Sequence, residues 1–187
     1  MNLNETINKR ASIRKFKDKK VPFGKVLEAI DSAIKTPLAG NISTLKFVIV
    51  TDPDAKQRIA EYADQLWISE ADTLVIVCSE MKSLTNVYGE HAKDYAKQQV
   101  GAAIQNFLLR ITDLGLASCW VGSYLEHEIK NTLKIPVDVV VEAILPIGYS
   151  DEKSKPKKKV SLEHTLYWDK WKQSKKPTLL KDPTTKD

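Results

Sequence analysis

The order of the predicted elements favours an α/β or α+β fold, and three observations lead to this prediction. Three apolar, β-branched runs have the composition of buried strands: 46–51, 73–79 and 137–145. Segments with helical spacing of apolar residues lie between them. Strands that alternate with helices are typical of layered domains. With 187 residues, 42% of them hydrophobic, the chain is long enough for one core and too short for two ordinary domains.

The N-terminal part is predicted to hold two helices separated by a basic stretch. Asn4 is a candidate N-cap for a short helix over 5–10, because its side chain can accept a hydrogen bond from the first turn. Pro22 suits the first turn of a second helix, and Pro37 ends that helix.

A loop over 37–41 precedes the first long strand. It contains Gly40 and Asn41, residue types that adopt positive φ readily and so let backbone approach a ligand. After the strand, Asp52 followed by Pro53 predicts the start of a third helix, with Asp52 as its N-cap.

The middle of the chain contains the longest periodic segment. The polar stretch that follows the second strand and runs through Tyr88 is a candidate mobile lid. A long helix is predicted over 92–114, ended by Gly115. A short strand over 117–121 and an amphipathic helix over 126–133 follow.

The last predicted strand ends at Pro146 and Gly148, after which the composition changes. Residues 151–187 contain 11 Lys and 6 Asp or Glu, so the whole net charge of +5 comes from them. A lysine run of this kind is more often a solvated segment than a nucleic-acid site, and we expect no nucleic-acid partner. The aromatic segment Leu166–Trp171 is either an arm that packs on another subunit or a surface helix.

Composition and residue spacing also argue against membrane, secreted and metal-binding proteins. No stretch approaches the roughly 18 to 20 apolar residues that a membrane span needs, and the first residues lack the order of a secretory signal. We therefore expect a cytoplasmic protein without a membrane partner. Cys78 and Cys119 lie in apolar runs and are expected to be buried free thiols. Cysteine and histidine spacings do not suit a metal ion, so no metal site is predicted.

The familiar nucleotide motifs are missing, since the seven glycines form neither GxGxxG nor GxxxxGK[ST]. A phosphate would need other donors. Arg10, Ser12 and Arg14 are the candidates, because two guanidinium groups and a hydroxyl suit a phosphate dianion. No arrangement of residues points to a nucleophile or a general base.

Taken together, four segments resemble the nitroreductase family of flavoproteins. In chain order they are Arg10–Phe16, Pro37–Asn41, Gly101–Leu109 with Leu114–Gly122, and Ile144–Tyr149. The resemblance implies an α+β, α/β/α layered fold with a mixed central sheet flanked by helices. It also implies a homodimer with a dimer-swapped C-terminal arm and one FMN in each interfacial cleft. We expect a single FMN-binding domain over 1–171 and a Lys/Pro-rich tail over 172–187.

The resemblance also assigns cofactor-binding residues. The positions that match phosphate and ribityl contacts are Arg10, Ala11, Ser12 and Arg14, and those along the flavin ring are Pro37, Leu38, Ala39 and Asn41. The positions at the redox edge of the flavin are Trp120, Val121, Gly122 and Ser123. The late basic pair that matches further phosphate contacts is Lys158 and Lys159. No side chain is assigned a catalytic role, because in such enzymes the flavin carries the chemistry.

Three departures from the family pattern affect this assignment. Ser43–Leu45 replaces a frequent Gln-Pro-Trp, Gln99 replaces a frequent Asp, and Lys159 replaces a common Arg. The first concerns the flavin environment and substrate. The last removes a bidentate phosphate contact, so it concerns FMN affinity rather than the reaction.

The resulting hypothesis is an FMN-dependent oxidoreductase. It passes hydride from NAD(P)H through FMN to nitroaromatics, quinones or similar small planar acceptors by a ping-pong mechanism. Alternatives within the same fold are a reductive dehalogenase or a flavin-degrading enzyme. From other classes, a flavin-binding module without turnover or a basic nucleic-acid binder using its tail stays open.

Overall fold

The computed structural model describes residues 1–152, 159–175 and 177. The chain forms two compact units, Met1–Pro156 and Lys157–Asp187. In the second unit, a short 3-10 turn covers Leu162–His164, and the Tyr167 and Trp171 rings pack edge to face at 4.8 Å. Residues 166–171 form turns and bends, so the surface helix considered for them is absent there. The domain boundary after residue 171 and the swapped arm stay predictions.

The first unit is built around one five-stranded sheet. Its strands are β1 (Phe16–Lys17), β2 (Leu45–Val50), β3 (Thr73–Glu80), β4 (Ala117–Ser118) and β5 (Val139–Ser150). The order is β1-β5-β3-β2, and β4 also pairs with β5. All four ladders are antiparallel, so the predicted mixed sheet is an antiparallel one. Within the described residues, parallel pairing is limited to one bridge between Ser12 and Ser118. The predicted α+β class is confirmed.

Six α-helices of the described chain flank this sheet. They are α1 (Leu3–Lys9), α2 (Phe23–Ile34), α3 (Pro53–Tyr62), α4 (Lys82–Tyr88), α5 (Ala92–Asp113) and α6 (Glu126–Leu133). The predicted polar stretch before α5 therefore contains a helix of its own. The predicted cap of α1 is wrong: Asn2, not Asn4, accepts a hydrogen bond from the Glu5 N–H at 2.9 Å. The Asp52 cap of α3 is confirmed by its 2.8 Å bond from the Ala55 N–H.

The core has two halves, one on each face of the sheet. Alternate residues of a strand point to opposite faces, and β3 is apolar on both. Leu74 and Ile76 pack with residues of α3 and α6, whereas Val75 and Val77 pack with residues of α2 and α5. All four side chains are fully buried. The result is the expected α/β/α layering.

The last strand continues to Ser150, so its predicted end at Pro146 and Gly148 is wrong. Ile144 exchanges backbone hydrogen bonds with Val121. Along a strand, N–H groups two residues apart point to the same edge. An N–H at position 146 would therefore point to the edge where Ile144 pairs with Val121. The β4 ladder on this edge pairs only Ile147 and Gly148 of β5, so the missing N–H of Pro146 removes no ladder hydrogen bond.

Asp72 ties the chain segment before α2 to the start of β3. Its Oδ2 accepts a hydrogen bond from the Val21 N–H at 3.0 Å and another from the Thr73 hydroxyl at 3.2 Å. Lys20 lies 3.1 Å from Oδ1. Burial tends to raise the pKa of this carboxyl, but the Val21 N–H and Lys20 outweigh it, so the pKa lies below its ordinary value.

We expect Asp72→Ala to lower the free energy of unfolding by about 1–3 kcal/mol at neutral pH, because the Val21 N–H loses its acceptor. A carboxyl with a lowered folded pKa stabilises above its unfolded pKa, and this contribution disappears as pH falls through the folded pKa. The difference between wild type and variant should therefore shrink in acid. Urea unfolding across this range measures it. Asp138→Ala is the control, since Asp138 is exposed, and an equal effect there would contradict the role of Asp72.

Candidate functional site

The segment that follows α1 contains the predicted phosphate ligands Arg10, Ser12 and Arg14. Arg10 leaves the helix with extended backbone at φ −58° and ψ 120°. Ile13 is buried, whereas Ser12 and Arg14 are exposed and Arg10 is half-buried. Ser12 and Arg14 flank the buried Ile13, and the Arg14 guanidinium lies over the Trp67 ring, 5.9 Å from its centroid.

This segment lies against β4 and brings two predicted parts of the site together. Ser12 forms the parallel bridge with Ser118, and the Ile13 N–H donates to the Ser118 carbonyl at 3.1 Å. The Cys119 thiol donates to the Trp120 carbonyl at 3.9 Å. The phosphate candidates therefore lie beside the segment that continues into Trp120.

The residues after Cys119 are largely open to solvent. Trp120 is 43% exposed, Gly122 and Ser123 are exposed, and Val121 is buried. Val121 is held by its bridge to Ile144 in β5. Among the described residues, no acceptor binds the N–H of Gly122 or Ser123, so two backbone donors are available for a ligand.

A cavity of about 210 Å³ adjoins the same segment. Arg10, Ala11, Ser118, Ser150 and Glu152 are among the residues that line it. The Ser118 hydroxyl is buried and has no hydrogen-bond partner within the described parts of the chain. Buried hydroxyls are nearly always paired, so this one is a candidate ligand contact. Nothing in the sequence marks this hydroxyl, because Ser118 lies inside an apolar run.

The predicted ring-contacting loop forms a tight turn. Ala39–Asn41 is a 3-10 turn in which Gly40 has φ +56° and Asn41 has φ +59°. The prediction of positive φ is therefore confirmed. A Cβ atom on Gly40 would lie 2.6 Å from the Tyr88 hydroxyl, so α4 packs tightly on this turn. The rest of the predicted loop continues into it, with Pro37 exposed and Leu38 half-buried.

The side chain of Gln99 in α5 hydrogen bonds with the backbone of this turn. Its side chain is buried, with 3% of the residue exposed. In the amide orientation that satisfies both partners, the nitrogen donates to the Ile42 carbonyl at 3.3 Å and the oxygen accepts from the Ala39 N–H at 3.1 Å. A carboxylate only accepts, so the amide suits this backbone where the frequent Asp of the family would not.

Helix α5 separates the two parts of the predicted site. Gln99 contacts the 39–42 turn, whereas the Trp120 ring lies 4.0 Å from the Cβ position of Gly101. A step of two residues along an α-helix is a rotation of about 200° about the helix axis, so the two side chains point to nearly opposite sides. These contacts therefore place the turn and Trp120 on different sides of α5 in one chain.

The two late lysines are not joined to these residues by any described contact. Lys159 is exposed and belongs to the second unit, and Lys158 lies outside the described residues. Their assignment stays a prediction.

The buried cysteines are poor nucleophiles. Burial raises the pKa of Cys78 to about 11. Burial also raises the pKa of Cys119, although the charge of Arg14 and the Ser12 hydroxyl act in the opposite direction. Both thiols are therefore protonated at neutral pH, and the thiolate is the reactive form.

Comparison with known proteins now gives the family. The model of the Nitroreductase family matches residues 7–149. This chain belongs to the nitroreductase family. A relative from Methanothermobacter thermautotrophicus, provisionally named NADH dehydrogenase/NAD(P)H nitroreductase, is 31% identical over 157 residues, which cover 81% of this chain and 79% of the relative. The iodotyrosine deiodinase of Thermotoga neapolitana is 26% identical over 83% of this chain and 91% of its own length.

Solved structures agree with this membership. A Parabacteroides distasonis protein, also provisionally named NADH dehydrogenase/NAD(P)H nitroreductase, superposes with a TM-score of 0.80 at 26% identity, covering 91% of this chain and 100% of its own. The nitroreductase fold is therefore present nearly throughout. Among the described helices, none combines the length and apolar character needed to cross a membrane.

Proposed function

We propose that this chain is an FMN-dependent oxidoreductase that uses NAD(P)H to reduce nitroaromatics, quinones or similar small planar acceptors. The observation that carries the proposal is the position of the basic segment Arg10–Arg14 against β4, beside the unpartnered hydroxyl of Ser118. Membership in the nitroreductase family supports it.

The residues present fit a phosphate. Arg10 and Arg14 would supply charged donors, and the Ser12 and Ser118 hydroxyls would supply neutral ones. Charge-assisted hydrogen bonds of this kind are stronger than neutral ones. Phosphate binding would also give the buried Ser118 hydroxyl the partner that the described residues lack.

The second part of the proposed site is suited to a flat ring. Bound FMN supplies a ring that accepts a hydride and passes it on. The chain would position that ring with the turn at Ala39–Asn41 and with the exposed indole of Trp120. The free N–H groups of Gly122 and Ser123 would donate to the ring edge and stabilise its negative charge after reduction. No side chain needs to act as a nucleophile.

We further propose that the working form is a homodimer, with each site shared between two chains. The two parts of the site lie on different sides of α5, so a second chain would supply the part that one chain cannot. Exposed apolar residues of α1 and α2 support an interface: Leu3, Ile7, Leu27 and Ile34 are all at least 47% exposed. Exposed apolar patches of this type mark protein interfaces.

A reductive dehalogenase is the second candidate, because of the similarity to the Thermotoga neapolitana iodotyrosine deiodinase. Acceptor choice would depend on the residues above the ring. Tyr88 packs on Gly40 and lies edge to face with Tyr95 at 5.1 Å. These two rings would border the acceptor and favour aromatic ones.

The test is flavin binding followed by turnover. After incubation with FMN and gel filtration, we expect a yellow protein that oxidises NADH or NADPH in the presence of menadione. Anaerobic stopped-flow with each donor identifies the preferred one, and iodotyrosine as acceptor tests the dehalogenase. Retained FMN that neither donor reduces would indicate a binding module without turnover. A colourless protein after incubation would contradict the whole proposal.

A further inference from the structure

Residues Arg14–Lys17 run antiparallel to the end of β5 and continue its pairing. Phe16 pairs with Ser150 and Lys17 with Tyr149, and the Asp151 N–H donates to the Lys15 carbonyl at 3.0 Å. At the next position of this pairing, a side-chain oxygen replaces the backbone acceptor. The Arg14 N–H donates to the carboxylate Oε1 of Glu152 at 2.9 Å, so a negative charge lies against the predicted phosphate-binding segment.

The position of Glu152 is fixed by its neighbours. The Ser150 hydroxyl donates to the Glu152 carbonyl at 2.8 Å and accepts from the Glu152 N–H at 3.2 Å. Glu152 also lines the cavity that Arg10 and Ser118 border. The carboxylate is therefore held between the Arg14 backbone and the cavity that Arg10 lines.

We propose that the charge of Glu152 opposes binding of the cofactor phosphate and sets how strongly the chain prefers FMN to riboflavin. The inference rests on the proposed function. The Glu152 carboxylate accepts the Arg14 N–H, so it lies beside the backbone of a residue whose guanidinium would bind phosphate. Two negative charges at short distance repel each other. Affinity for FMN is therefore lower than the cationic residues alone would give.

The phosphate-free flavin separates this role from a structural one. Riboflavin shares the ring and the ribityl chain but has no phosphate, so repulsion between the carboxylate and a phosphate does not affect it. Loss of local structure would weaken both flavins together. Glu152→Gln is the informative variant, because its amide oxygen still accepts from the Arg14 N–H while the charge is removed.

The experiment measures the Kd of FMN and of riboflavin by quenching of flavin fluorescence. For Glu152→Gln we expect FMN to bind about fivefold more tightly, as estimated from the repulsion between a carboxylate and a phosphate dianion near the surface. We expect the Kd of riboflavin to stay within about twofold, and the gain for FMN to diminish at high salt. Asp151→Asn is the control: it removes the same charge from the neighbouring residue, whose backbone N–H is the group that pairs with Lys15.

Three results would overturn the inference. They are an unchanged Kd for FMN in Glu152→Gln, an equal shift for both flavins, and an equal gain for FMN in Asp151→Asn. In each of these cases wild type still binds FMN, so the proposed function survives. Wild type that binds neither flavin would overturn the proposed function itself and this inference with it.

Discussion

Replacing Arg10 and Arg14 by alanine should release FMN from the protein. Each guanidinium would make charge-assisted bonds to phosphate that contribute about 1.5–3 kcal/mol. Because 1.4 kcal/mol corresponds to a factor of ten in Kd, each single variant should bind FMN about 10-fold to 100-fold more weakly. The double variant should lose FMN on gel filtration.

The same double variant should weaken the proposed dimer while the monomer stays folded. Both residues lie outside the apolar core, so their replacement should leave the circular dichroism spectrum unchanged. Gel filtration with light scattering measures the mass, and absorbance near 450 nm measures the flavin. Arg58→Ala is the control for removal of one guanidinium, since Arg58 is exposed on α3. Retained FMN in the double variant would show that the phosphate binds elsewhere.

Local rules were enough to predict most of the secondary structure. The helix over 126–133 and the Asp52 cap depend on neighbours in the chain, and both were predicted correctly. The cap of α1 was not, because Asn2 and Asn4 both fit an N-cap and composition does not choose between them. The end of β5 was also mispredicted. Which edge of the strand faces Pro146 depends on the pairing of Ile144 with Val121, and this pairing is tertiary.

The candidate site also contains residues that the sequence can suggest and residues that it cannot. Arg10, Ser12 and Arg14 could be proposed from the sequence because two guanidinium groups and a hydroxyl suit a phosphate dianion, and their assignment stays a prediction. Ser118 and Glu152 could not. Ser118 becomes relevant only through its bridge to Ser12, and Glu152 only through its hydrogen bond to Arg14. Both partners are more than a hundred residues away in the chain, so no local pattern connects them.

Gln99→Leu should destabilise the protein and loosen the turn at Ala39–Asn41. The substitution leaves the Ala39 N–H and the Ile42 carbonyl without their buried partner. Each unsatisfied group costs about 1–3 kcal/mol, so we expect the free energy of unfolding to fall by about 2–4 kcal/mol. Urea unfolding measures this loss. Gln98→Leu is the matched control, because Gln98 is the exposed neighbour on α5, and equal losses in the two variants would contradict the role of Gln99.

Gln99→Glu adds a pH dependence that tests the hydrogen-bonding role directly. A carboxylate would still accept from the Ala39 N–H, but it would face the Ile42 carbonyl without a proton to donate. Burial raises the pKa of such a carboxyl above its unfolded value. The protonated form regains a donor, so this variant should approach wild-type stability in acid and lose stability as pH rises through the folded pKa. Gln99→Leu cannot titrate at this position and should stay destabilised relative to wild type at every pH. A pH-independent difference between wild type and Gln99→Glu would show that the loop is held by packing rather than by the amide.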